Sequence, residues 1–170
     1  MYDLSKAYNT MRTGVVESHF RRFIWRFSED EEWQDFAIDR VHFGDISAAC
    51  QLEVSKSKTS DLGKDIDPQA AQKIDEDTYV DDGVTGGKPE DVERMVGIRG
   101  SDGKHHGGTI SKILALGNFA VKEFVVGGDA DQAEENLLGN SVFGYEWDSR
   151  KDQMAVKLKI NTSEKKISVT

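Results

Sequence analysis

The spacing of apolar and polar positions divides the chain into short elements. Residues 22–27, RFIWRF, alternate with period two: Phe23, Trp25 and Phe27 fall on one face and Arg22, Ile24 and Arg26 on the other. That pattern predicts a strand. An acidic turn at Ser28–Glu32 follows, and residues 33–43, WQDFAIDRVHF, read as a second strand that completes a hairpin. Residues 46–56, ISAACQLEVSK, are small and apolar and then amphipathic, which predicts a helix; residues 57–67 are polar and read as a loop. Asp67 as N-cap with Pro68 at the first helical position predicts a short helix over 68–73. Thr78–Val80 and Gly83–Thr85 read as a hairpin turning at Asp81–Asp82. Pro89 opens a helix over 89–96, with Val92, Met95 and Val96 at i, i+3, i+4 and Gly97 as its stop. Residues 109–116 repeat the pattern with Ile110, Ile113 and Leu114, stopped by Gly117. Residues 1–4, 119–126, 142–148 and 154–160 read as strands. Strands and helices interspersed without a βαβ rhythm predict an α+β fold with a largely antiparallel sheet.

Composition changes this picture in one respect. The chain has 170 residues, of which 37% are hydrophobic and 31% charged, which suits a marginal domain or a piece of a larger one. The net charge of −9 argues against a free-standing nucleic-acid binder, but its distribution is uneven. Residues 1–27 carry Lys6, Arg12, Arg21, Arg22 and Arg26 against Asp3 and Glu17. Residues 61–93 carry eleven acids against Lys64, Lys73 and Lys88, and residues 151–166 are again lysine-rich. The single cysteine, Cys50, has no internal disulfide partner and is expected in the core. No apolar stretch approaches the roughly 20 residues that span a bilayer. The expected setting is intracellular and cytoplasmic, with no membrane partner.

Candidate chemistry centres on Tyr79-Val80-Asp81-Asp82. Two acids in a tight turn present carboxylates at a hairpin tip, and two-metal phosphoryl transfer needs carboxylates that bridge ions about 3.5–4 Å apart. Adjacent ionised acids repel, and a metal pair relieves the repulsion. The plainer reading is an ordinary acidic turn. A second segment, Asp3-Leu4-Ser5-Lys6-Ala7-Tyr8, puts an acid at a strand end and an aromatic five residues on. Between the two lies Val41-His42-Phe43-Gly44-Asp45-Ile46-Ser47-Ala48-Ala49. For Tyr8 and Phe43 the plainer reading is core packing. His105-His106 in DGKHHGG reads as solvated. Asp75-x-Asp77 and Asp129-x-Asp131 lack the glycine and glutamate of a calcium loop.

In this order the three segments resemble the catalytic motifs of reverse transcriptases. The runs RRFIWRF, WQDFAIDRVHFGD, AACQLEV, DLGKDID, DTYVDDGVTGG, TISKILALGNFAVKEFV and LLGNSVFGYEWD make nearly the whole chain resemble a retrotransposon polymerase of the BEL/Pao type. The resemblance implies a polymerase palm, an antiparallel sheet with helices mainly on one face and a projecting hairpin. It implies a palm over residues 1–126 and a post-palm segment over 127–170 leading toward a thumb. It implies RNA-directed DNA polymerase activity by two-metal nucleotidyl transfer, with Asp3, Asp81 and Asp82 holding two Mg²⁺ (or Mn²⁺). Tyr8 would gate the sugar, Phe43 and Gly44 would line the nucleotide pocket, and Tyr79 and Val80 would lie near the primer end. Implied partners are an RNA/DNA template-primer, deoxynucleoside triphosphates and the remainder of a retroelement polyprotein, in retroelement particles.

The chain departs from the family pattern at Ala49, where proline is usual, and at Asp45, where a hydrophobic residue is usual. Because the resemblance begins inside the first motif, the basic fingers segment is expected to be missing and the chain alone to be nearly inactive. Arg22 and Arg26 on the hairpin are expected to be able to touch template phosphates but to be poorly placed to replace it. The alternative class is a degenerate or captured retroelement piece that acts as a non-catalytic binding module.

Overall fold

The computed structural model describes residues 1–127, 141–142, 145–148 and 153–156, in two units, Met1–Phe124 and Val125–Thr170. In the first unit, strand β1 (Tyr2–Ser5) leads into two one-turn helices, α1 (Ala7–Thr10) and α2 (Val15–Ser18). The hairpin of β2 (Arg22–Trp25) and β3 (Gln34–Ala37) follows, then helices α3 (Ala48–Gly63) and α4 (Pro68–Asp77). Next come the tight hairpin of β4 (Thr78–Tyr79) and β5 (Asp82–Gly83), helix α5 (Pro89–Val96), the ribbon of β6 (Gly97–Arg99) and β7 (His105–Gly107), helix α6 (Thr109–Leu116) and strand β8 (Ala120–Phe124). The second unit contains a three-stranded antiparallel meander of β9 (Ser141–Val142), β10 (Tyr145–Asp148) and β11 (Gln153–Val156). The predicted strand over 154–160 is described only as far as Val156; residues 128–140, with Asp129, Asp131 and Leu138, lie outside the described residues.

The fold is α+β with a small antiparallel sheet. Four strands run in the order β4-β5-β1-β8, each pair antiparallel. Burial along β1 alternates: Tyr2 and Leu4 are buried, Asp3 and Ser5 half-exposed, so one face of the sheet is packed and the other is open. On the packed face Tyr2 lies against Phe124, ring centroids 5.7 Å apart, and its hydroxyl meets Thr78 Oγ1 at 2.5 Å. Burial pushes the Tyr2 phenol up to about 12. Gly83 stands directly opposite Tyr2; a Cβ there would fall 2.2 Å from Tyr2 Cζ.

Helices α3, α4 and α6 pack on one another, α5 packs on α6, and α6 and α4 adjoin β8 and β4 respectively. Leu52, Ile74, Met95, Ile110, Ile113 and Leu114 are fully buried between them. Asp67 ties the helices together. It caps α4 through the Ala70 N–H at 3.1 Å and accepts the Thr109 hydroxyl of α6 at 2.8 Å. It also pairs with Arg94 of α5. A buried carboxylate is tolerable when several donors satisfy it in this way.

Several expectations need correction. Helix α3 does not end near residue 56 but runs to Gly63, so 57–63 is helical and not loop. Two of its polar residues, Thr59 and Ser60, are buried and satisfied: Thr59 Oγ1 donates to the Ser55 carbonyl at 2.7 Å and Ser60 Oγ to the Ala71 carbonyl at 2.5 Å. Their small size lets neighbouring helices approach, with Gly63 directly against Ile113. The strand predicted over 33–43 shrinks to Gln34–Ala37, and beyond it a single bridge joins Arg40 to Arg12. The tight turn is centred on Val80–Asp81, leaving Asp82 in a strand. Cys50 is exposed, because it lies off the buried stripe of Ala48, Leu52, Lys56, Thr59, Ser60 and Gly63. The β6–β7 ribbon has no counterpart in the apolar and polar pattern of the sequence.

The contact of Tyr2 with Gly83 generates a direct test. Gly83→Ala should destabilise the fold by about 1–3 kcal/mol, the usual effect of forcing extra volume into packed space. Gly86→Ala, whose Cβ meets nothing within 4 Å, should be close to neutral. Chemical denaturation of both variants checks the pair.

Candidate active site

Backbone pairing gathers the acidic residues. Asp3 of β1 is the direct partner of Asp82 in β5, and residues directly opposite in an antiparallel pair project to the same face. That is the open face, since Tyr2 and Gly83 occupy the packed one. Asp81 sits in the two-residue loop between β4 and β5, and its carbonyl accepts the Leu4 N–H at 2.8 Å. The two sequence segments singled out for their acids therefore lie side by side.

The electrostatics agree with the placement. The Asp82 carboxyl is pushed up, first by loss of solvent and then by the charges of Asp81 and Asp3, with Lys122 opposing. Lys122 lies in β8, where the register against β1 slips between Asp3 and Leu4. Such a bulge re-aims a side chain, and the Lys122 ammonium meets Asp3 Oδ2 at 3.2 Å. Asp3 and its neighbours push the Lys122 ammonium up in turn.

Tyr8 borders the same cluster. Its phenol is pushed up by desolvation, then by Asp81, Glu53 and Tyr79. Phe43 meets the Tyr8 ring edge-on, centroids 4.9 Å apart, yet Phe43 is 63% exposed, so the pair is not core packing. Gly44 has φ of +93°, in the left-handed region where glycine is favoured. Asp45, unexpected in the sequence pattern, has a local use: Oδ2 accepts the His42 N–H at 2.9 Å and pairs with Arg21 at 2.7 Å. It fixes the loop that carries Phe43 and Gly44. Tyr79 is 69% exposed beside the turn. Val80 has φ of +56°, a genuine outlier for a β-branched residue.

Two residues of this site were missed in the sequence. Glu53 Oε1 accepts the Val80 N–H at 3.0 Å, and buried Lys56 donates to the Thr78 carbonyl at 2.8 Å. The only sequence signal was a lysine four residues after Leu52 on the buried helical stripe. The arginines, by contrast, are engaged: Arg22 is paired with Asp35 and Arg26 lies 4.6 Å over the Trp33 ring. His106 bonds Asp102 at 3.0 Å.

Three carboxylates are hard oxygen donors of the type that suit Mg²⁺ or Mn²⁺, and the repulsion felt by Asp82 is the kind a cation relieves. Their side chains are not closed into a cage: among the described residues no group of three or more His, Cys, Asp or Glu is arranged to hold an ion, and Asp3 is turned to Lys122. Among the described residues, no helix is long and apolar enough to cross a membrane. No family model, curated protein or solved structure matches the chain.

Because folding raises the Asp82 pKa, the folded state holds that proton more tightly than the unfolded chain. Stability therefore falls as pH rises from the unfolded pKa through the folded one, and the full penalty stands above it. Asp82→Asn should raise the thermal midpoint at neutral pH without added metal, and the gain should vanish in acid where Asp82 is already protonated. Thermal melts of both proteins across pH check this.

Proposed function

We propose that the chain is part of an RNA-directed DNA polymerase and that Asp3, Asp81 and Asp82 form its catalytic carboxylate set. One observation carries the reading: β1 and β5 pair so that Asp3 and Asp82 are direct partners, with Asp81 in the adjoining turn. Like charges brought together on an open face work against stability, and such clusters mark sites of function more often than of structure. The antiparallel sheet supports a palm, and the sequence runs quoted above support the BEL/Pao type.

When bound, two divalent ions would supply Lewis acidity to the attacking primer 3′-hydroxyl and to the departing pyrophosphate of a deoxynucleotide. The three aspartates would hold them, Asp3 exchanging its Lys122 partner in the process. Tyr8, with Phe43 on its edge, would border the sugar of the incoming nucleotide. Gly44 would keep that side of the pocket open, and the exposed Tyr79 would face the primer. In-line positioning of the triphosphate supplies much of the rate in phosphoryl transfer. Arg21, Arg22 and Arg26 are held by Asp45, Asp35 and Trp33, so they contribute little to it.

A second reading, a non-catalytic binding module, is favoured by the ion pair of Lys122 with Asp3. Primer extension separates the two. The polymerase reading expects slow, Mn²⁺- or Mg²⁺-dependent extension that Asp81→Asn abolishes. Extension that survives Asp81→Asn would refute the carboxylate assignment, and its absence at millimolar nucleotide and metal even when a fingers segment is fused in frame would favour the binding module.

A further inference from the structure

The acidic turn is held from one side by helix α3, and we propose that Glu53 and Lys56 are positioning residues for Asp81 and Asp82. They fix the strained Val80 turn, so that the divalent-ion affinity of the carboxylates depends on a lysine that bonds none of them. The proposal rests on the reading of these aspartates as a metal site.

Lys56 is the largest of the fully buried side chains among the described residues, at 1% exposure. Burying an ammonium is unfavourable unless it is paired and hydrogen-bonded. Packing alone would be served as well by leucine or methionine at this position, as Leu52 serves one turn earlier. The ammonium makes two contacts, to the Thr78 carbonyl at 2.8 Å and to Glu53 Oε1 at 2.9 Å. The same Glu53 oxygen accepts the Val80 N–H. One ammonium and one carboxylate thus grip the backbone on both sides of Tyr79, immediately before Asp81.

What they grip is strained. Val80 at φ of +56° adopts a conformation that a β-branched residue keeps only when its surroundings impose it. If the Val80 N–H were released, the turn would relax toward negative φ and re-aim Asp81 and Asp82 relative to Asp3. Helix α3 also begins at the loop that carries Phe43: the Ala48 N–H donates to the Asp45 carbonyl at 3.0 Å. Contacts made at that loop and the geometry of the carboxylate turn therefore share one rigid element.

The test measures amide exchange at Val80 and Mn²⁺ affinity by paramagnetic resonance. It compares the full chain with Lys56→Met, Glu53→Ala and Glu53→Gln, each shown to be folded by circular dichroism. Lys56→Met and Glu53→Ala should speed Val80 exchange and weaken Mn²⁺ binding, each by about tenfold, as expected for a lost charge-assisted hydrogen bond. Glu53→Gln retains an acceptor and should keep exchange near that of the parent, which general destabilisation would not explain. Glu53 is exposed, so its two variants decide the matter even if Lys56→Met does not fold. Unchanged exchange at Val80, or faster exchange with unchanged Mn²⁺ affinity, overturns the proposal. If the parent chain binds no Mn²⁺, or Asp81→Asn binds it equally well, the metal-site reading fails instead, and the exchange data still report whether the pair holds the turn.

Discussion

The register of β1 against β5 is the constraint on which the rest depends. Side-chain direction in a strand has period two, so a slip of one residue would carry Asp3 to the packed face and Tyr2 to the open one. Two contacts on the packed face oppose that slip. Tyr2 fills the space left by the missing side chain of Gly83, and its hydroxyl reaches Thr78 two strands away. Apolar packing on one face thereby decides which charges meet on the other.

The charges that meet are in conflict, and their surroundings moderate the conflict without removing it. Asp82 is crowded by Asp81 and Asp3, while Lys122 offsets Asp3 from a bulge in β8. The turn between the strands adds backbone strain at Val80, and a buried lysine anchors it. Charge repulsion, a positive φ on valine and an ammonium in the core each work against stability, and all three surround one hairpin. Local rules broken together in one place are expected where function sets the requirement.

Features specified by neighbouring residues were legible in the sequence. Asp67-Pro68 marked the start of α4, and Gly97 and Gly117 marked the ends of α5 and α6, because caps and stops act within one turn of helix. The carboxylates of Asp3, Asp81 and Asp82 are legible as chemistry; their meeting follows from the resemblance rather than from any local pattern, and the pairing of β1 with β5 brings Asp3 and Asp82 together. The second half of α3 reads as a loop in the sequence because Thr59, Ser60 and Gly63 are polar or small. They face the core since close helix packing needs little volume there and hydroxyls can bond the backbone. Lys56 is illegible for a related reason: charge ordinarily signals solvent, and the Thr78 carbonyl and Glu53 make its burial tolerable.

The proposed site requires three aspartates from two distant segments to act as one cation-holding unit. Carbon-13 NMR of selectively labelled aspartate carboxyls during a Mg²⁺ titration can observe that unit. The carboxyls of Asp3, Asp81 and Asp82 should shift together along a common binding curve, with the Lys122 ammonium signal changing in step as Asp3 releases it. Resonances that stay fixed at millimolar Mg²⁺, or that move with unrelated affinities while Lys122 stays bound to Asp3, would contradict it.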